Sequence, residues 1–113
     1  MSRQEKLAEE LRKEISSIIQ REVKDPRLGF VTITRVEITQ DLRYAKIFFS
    51  VLGEDKEYKK TNAALGSALG FIRSLIAQRV KLRFAPEIIF KEDRSSEYSI
   101  KIQKLLDEIK RKK

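Results

Sequence analysis

Apolar residues recur along the first part of the chain at helical spacing. Leu7, Leu11, Ile15, Ile18 and Ile19 fall on one face of a 3.6-residue repeat, with charged residues between them. Ser2 and Glu5 stand in capping-box relation just before this run, so the pattern predicts an amphipathic helix of about five to six turns. Lys24-Asp25-Pro26-Arg27 closes it, because the residue before a proline is pushed out of the α region, and Gly29 supplies a turn. The period then shortens. Phe30 to Thr39 and Tyr44 to Leu52 are rich in Val, Ile, Thr and Phe, and the connection between them contains the turn former Asp41, which predicts an antiparallel hairpin. In the first strand the apolar positions change from odd (Val31, Ile33) to even (Val36, Ile38). A regular pleat with one buried face does not allow this, so a bulge is expected near Thr34 and Arg35.

After the charged loop Gly53-Glu54-Asp55-Lys56, a helical pattern runs from about Glu57 through Leu65, Ala68, Ile72, Leu75, Ile76 and Val80. Gly66 and Gly70 interrupt it, each costing about 1 kcal/mol against alanine in a helix interior, and they predict a kink that makes two helices of one. Ala85-Pro86 ends the segment, Glu87 to Lys91 reads as a third strand, and Asp93-Arg94-Ser95-Ser96 offers N-caps for a last helix. That helix is expected to bury Tyr98, Ile102, Leu105, Leu106 and Ile109. The expected architecture is α+β, in the order α-β-β-α-kink-α-β with a C-terminal helix, its three-stranded sheet packed on helices. Residues 1–109 form a single domain and residues 110–113 a short basic tail.

The 113 residues suffice for one core, under a surface made highly charged by 37% Asp, Glu, Lys and Arg. The chain has neither Cys nor His, which removes thiolate and imidazole catalysis, Ser-His-Asp chemistry, zinc ligation and disulfides. A magnesium-dependent nuclease would need converging carboxylates. Asp25, Glu37, Asp41, Glu87 and Asp93 are available, but each sits at a turn or strand end that a cap or salt bridge explains and no spacing suggests a shared site, so a nuclease is the minor alternative and no cofactor is expected. There is no apolar run of membrane-spanning length and no signal segment, and the expected location is the cytoplasm, away from membranes.

The formal net charge of +8 points to a polyanionic partner, and the positive charge is unevenly spread. From Lys59 to Pro86 the chain carries Lys59, Lys60, Arg73, Arg79, Lys81 and Arg83 without one acid. On a helical wheel Phe71, Ile72, Leu75, Ile76, Val80 and Leu82 share an apolar arc, while Gly70, Arg73, Ser74, Ala77 and Lys81 share the opposite one. Small residues beside basic ones let a phosphate backbone approach closely, and a helix starting at the glycines would add free N–H groups there. A merely solvated basic face is the bland alternative, and the absence of acids and the adjacent glycine kink count against it here. Arg79 falls in the apolar arc and is expected to snorkel or to pair with a carboxylate. Tyr44, Phe48 and Tyr58 are possible base-stacking residues, although Phe48, between Ile47 and Phe49, is expected under a helix.

The α-β-β-α-α-β order is that of a type II KH domain, which binds single-stranded nucleic acid through a GxxG loop. Here the junction reads Ala68-Leu69-Gly70, followed by Phe71-Ile72-Arg73-Ser74-Leu75 and Leu82-Arg83-Phe84-Ala85-Pro86-Glu87-Ile88. With Lys24-Asp25-Pro26-Arg27, Val31-Thr32-Ile33-Thr34-Arg35-Val36-Glu37 and Asp41-Leu42-Arg43-Tyr44-Ala45, the chain closely resembles the bacterial ribosome-binding factor A family over about residues 3–109. The resemblance implies a non-catalytic assembly factor, monomeric and cytoplasmic. It would bind 16S rRNA in precursor 30S small subunits, assist 5′-end maturation and be needed most in the cold. It also implies that an Ala-x-Gly kink at Ala68, Leu69 and Gly70 replaces the GxxG loop. Candidate RNA-binding residues are Ser67, Ala68, Gly70, Arg73, Ser74, Lys81 and Arg83, with Arg43 and Lys46 on the hairpin. A structural ribosomal protein or a general KH-like RNA chaperone would share this composition and fold.

Overall fold

A computed structural model describes residues 1–81, 85–93 and 104–110. Helix α1 (Arg3–Arg21) starts where Ser2 Oγ accepts the Glu5 N–H at 3.1 Å, and it buries Leu7, Leu11, Ile15, Ile18 and Ile19, the five positions that the periodicity selects. Strands β1 (Val31–Ile38) and β2 (Tyr44–Val51) pair antiparallel. Asp41 shapes their connection: its Oδ1 accepts the Arg43 N–H at 3.1 Å and the Thr39 hydroxyl at 2.7 Å, and Leu42 beside it adopts a φ of 63°.

The expected bulge is present. Ile33 faces Phe49 and Arg35 faces Phe48, which leaves Thr34 as the extra residue. The insertion turns Val36 and Ile38 toward the side already occupied by Ile33, and so reconciles the odd and even apolar positions with one buried face. Strand β3 (Glu87–Glu92) joins β2 in parallel, giving the order β1-β2-β3. A parallel neighbour requires a crossover, and helix α2 (Asp55–Arg79) provides it. Helix α2 starts two residues earlier than the apolar pattern indicates, because Glu57 Oε2 accepts the Glu54 N–H at 2.9 Å and Gly53 turns the chain at a φ of 137°.

Both helices lie on one face of the sheet. Leu11, Ile15 and Ile18 of α1 and Leu65, Ile72 and Ile76 of α2 meet Ile33, Ala45, Ile47, Phe49 and Ile88 in one continuous core. Phe49 stacks on Tyr58 at 5.7 Å between ring centroids and meets Phe90 edge-on at 6.2 Å. Tyr58 is thus half-buried, its ring packed against the core.

Four expectations are corrected. First, α2 is one uninterrupted helix through Gly66 and Gly70, neither of which has a positive φ, so the two helices expected from a kink are one. The two glycines together forfeit about 2 kcal/mol of helix propensity. Leu65, Ile72 and Ile76 on the inner face each recover about 1.5–3 kcal/mol, and they lie on both sides of the glycines, so burial prevails. Second, Phe71 is 47% exposed and outside the core, because at 100° per residue it stands on the flank of the buried stripe. Third, Phe48 points away from the helices. Ile47 and Phe49 take the two inward positions, and the Arg35 guanidinium lies 4.1 Å from the Phe48 ring centroid. Fourth, in helix α3 (residues 104–110) Leu105 and Ile109 are more than half exposed and Leu106 is half-buried, because α1 and α2 already cover the inner face of a three-stranded sheet. Helix α3 includes Lys110, which pairs with Glu54. Leu82, Arg83, Ser95, Ser96, Tyr98 and Ile102 lie outside the described residues.

Candidate nucleic-acid interface

Helix α2 divides cleanly around its axis. Opposite its buried stripe, Ala63, Gly66, Ser67, Gly70, Arg73, Ser74 and Ala77 share one face at helical spacing, and all are exposed. An ideal Cβ added at Gly66 or Gly70 would find nothing within 4 Å among the described residues, so packing among them requires neither glycine. The face is flat, small and hydroxylated, and Arg73 is its cation. Because α2 is continuous, no helix start at Gly70 offers free N–H groups. The donors toward a phosphate on this face are side chains.

Of the candidate residues, the structure brings Ser67, Gly70, Arg73 and Ser74 together here. Ala68 is half-buried against the core, on the flank of the same helix. Lys81 is exposed just past the end of α2, and Arg83 lies outside the described residues. Arg43 is at the hairpin end, its side chain 79% exposed and 4.0 Å from Asp41. Lys46 alternates with the inward residues Ala45 and Ile47, so it sits on the outer face of the sheet, away from α2, with Phe48 on the same face. Arg79 is bound elsewhere, 3.7 Å from Glu14 and 3.2 Å from Glu22, where it ties α2 to α1 as its place in the apolar arc suggests.

One residue on this side escapes a sequence reading. Asp25-Pro26-Arg27 does more than end α1. Asp25 Oδ1 accepts the Arg27 backbone N–H at 2.9 Å and Nε–H at 3.1 Å, and Oδ2 accepts from Nη2 at 2.8 Å. Nη2 also donates to Ser67 Oγ at 3.1 Å, and two residues on the Gly29 N–H reaches Thr61 Oγ1 at 3.1 Å. The loop is thus laid along α2, and Arg27 stands on the edge of the exposed face. The guanidinium holds the Asp25 carboxyl below the usual carboxylate range, and the carboxylate in turn raises Arg27. The sequence signal was the short Asp-Pro-Arg turn, but nothing in one sequence says where such a turn docks.

Among the described residues, no group of three or more acids is placed to hold a metal ion, and no helix is long and apolar enough to cross a membrane. A groove of about 720 Å³ opens between the end of α1 and the start of β1, lined by Val23, Leu28 and Phe30, and none of the candidate residues borders it.

A helix, an antiparallel hairpin, a crossover helix and a parallel third strand, with both helices on one side, make this an α+β domain of the type II KH-like kind. A family profile described as ribosome-binding factor A matches residues 3–106, and the chain belongs to that family. Ribosome-binding factor A of Halothermothrix orenii is 52% identical over 108 residues, covering 96% of this chain and 88% of that one. The Natranaerobius thermophilus protein of the same name is 53% identical over 107 residues, covering 95% and 82%. Among solved structures, a Thermotoga maritima protein described as a ribosome binding factor A and determined by NMR superposes with a TM-score of 0.74 at 42% identity, covering 84% of this chain and 91% of that one. A homology model of the Thermus thermophilus ribosome binding factor A, fitted into a cryo-EM map of a 30S complex of that protein, gives a TM-score of 0.66 at 25% identity, covering 78% and 92%.

Proposed function

We propose that this chain is a non-catalytic assembly factor that binds the immature 30S subunit through 16S rRNA and assists maturation of the 5′ end of that RNA, most of all in the cold. It acts in the cytoplasm as a monomer, with residues 1–109 as one RNA-binding domain and 110–113 as a basic tail. The observation that carries the reading is the exposed face of α2. Two helix-destabilising glycines there serve no packing purpose among the described residues, and they stand beside Arg73 and two serines in a stretch of sequence without acids. Glycines on an open helix face suit the close approach of another backbone, and a segment whose charged residues are all basic suits a phosphate backbone. Family membership and the 30S complex of the Thermus relative direct this general capacity to the small subunit.

The test is sedimentation from cells grown warm and cold, combined with mapping of 16S 5′ ends. An assembly factor sediments with free small subunits, and its deletion leaves unprocessed 5′ ends, more of them in the cold. A structural ribosomal protein would be found in translating 70S ribosomes instead. Normal 5′ ends in the cold-grown deletion strain would overturn the maturation role.

A further inference from the structure

Arg27 and Ser67 are forty residues apart in sequence and meet at the border of the exposed face of α2. A guanidinium has five N–H donors in a fixed plane. Here Nε and Nη2 serve Asp25, and Nη2 also serves Ser67 Oγ. Nη1 has no partner among the described residues, and the side chain is 45% exposed. Ser67 accepts from Arg27, so its oxygen is occupied as an acceptor, while its own proton makes no hydrogen bond among the described residues. Two kinds of donor, a charged N–H pair and a hydroxyl, are thus fixed against each other at the border of a helix face. Gly66 and Gly70 leave open space beside them. The charged group is already oriented by Asp25, so little side-chain freedom remains to be lost when a ligand arrives.

We infer that Arg27 and Ser67 together form a phosphodiester-binding site for RNA, Arg27 through its Nη1 edge and Ser67 through its hydroxyl, with Asp25 holding the guanidinium in place. This rests on the reading of the α2 face as the RNA interface and adds to it a residue from another segment. The Asp25 carboxylate balances the Arg27 charge, so the site works by placed hydrogen bonds more than by a long-range field. Lysine at position 27 would keep the charge and lose the planar fork that serves Asp25, Ser67 and phosphate at once.

The experiment measures binding of purified small subunits over a range of monovalent salt at fixed magnesium, alongside thermal melts. The proteins are wild type, Arg27→Gln, Arg27→Lys, Ser67→Ala and Arg73→Glu. Arg27→Gln removes one charge-assisted hydrogen bond and leaves the Asp25 carboxylate without its counter-charge at the site, so it is expected to bind about tenfold more weakly, with a log-log salt slope shallower by up to about 0.7 for that one unit of charge. Arg27→Lys is expected to weaken binding without the change in slope. Ser67→Ala should weaken binding about threefold to tenfold at unchanged slope, since it removes a neutral donor. If Arg27→Gln does not fold, Ser67→Ala carries the test, because alanine at an exposed helix position favours the helix. Arg27→Gln or Ser67→Ala with a lowered melt but wild-type affinity and slope would make the pair a packing latch and overturn the inference. If Arg73→Glu loses binding while both of those variants keep it, the α2 interface stands and only this site fails. If none of them loses binding, the reading of the face itself fails.

Discussion

The Thr34 hydroxyl donates to Asp93 Oδ2 at 2.8 Å across 59 residues of sequence. Thr34 is the extra residue of the β1 bulge, and Asp93 follows directly on β3 and is only 7% exposed. The same stretch is tied again where the Asp93 N–H reaches the Phe49 carbonyl at 2.8 Å and Ser50 Oγ donates to the Asp93 carbonyl at 3.1 Å. The irregularity in β1 thus closes the sheet at the end of β3, beyond restoring the strand's buried face. Thr34→Val keeps the shape and removes the donor to a buried carboxylate, so it should destabilise the fold by about 1–2 kcal/mol, whereas Thr34→Ser should recover most of the loss. Urea denaturation of the two variants measures this directly, and a Thr34→Val midpoint equal to that of wild type would mean that the bond contributes nothing.

Gly70 separates folding from binding. Alanine there adds a methyl group into open space in an exposed helix interior, so Gly70→Ala should stabilise the protein by about 1 kcal/mol. The same methyl stands where an RNA backbone is proposed to approach, and affinity for small subunits should fall. Thermal melting and sedimentation of one variant thus move in opposite directions. A substitution that raised both would remove the reason for a glycine at this position.

Acid stability follows from four carboxylates that the fold holds as anions. Glu9 is held below its ordinary 4.5 by its hydrogen bond from Arg12, and Glu54 likewise by Lys110. Asp25 is held below 3.8 by Arg27, and Asp41 by the Thr39 hydroxyl and the Arg43 N–H. A carboxylate depressed in the folded state stabilises the fold fully above its unfolded pKa, and that stabilisation is lost as the pH falls through the lower folded value. With no histidine to titrate, the melting temperature should be nearly flat from about pH 8 to pH 5 and decline below that. Lys110 is raised from 10.5, so its share is lost only as the pH climbs past that value. Asp25→Asn should make the acid decline shallower in a pH series of melts, and an unchanged decline would mean that the Asp25–Arg27 pair does not contribute to it.

The pattern of the chain made most of this fold legible, for reasons visible in particular residues. The buried face of α1 has an unbroken helical period, and the parity change between Ile33 and Val36 admits no regular strand, so helix and bulge follow from spacing alone. The kink inferred from Gly66 and Gly70 did not follow, since propensity is local whereas the burial of Leu65, Ile72 and Ile76 against the sheet is not. Phe48 was misplaced because three consecutive apolar residues, Ile47, Phe48 and Phe49, conceal which two face inward. At the candidate interface Arg73 and Ser74 could be read from the wheel. Arg27 could not, because its place depends on how the loop after α1 lies across a helix that begins thirty residues later in the chain.

The central claim is that the exposed face of α2 carries the contact with small-subunit RNA. Arg73 and Lys6 are both exposed cations on helices, the first on that face and the second on α1. Reversing either charge changes the protein's net charge equally, so any difference between them reports position. The measurement is quantitative co-sedimentation of Arg73→Glu and Lys6→Glu with purified small subunits, each variant checked by its melt. Arg73→Glu should lose about tenfold or more in affinity, as for a direct charge-assisted contact, while Lys6→Glu stays close to wild type. Equal binding by the two folded variants would contradict the account.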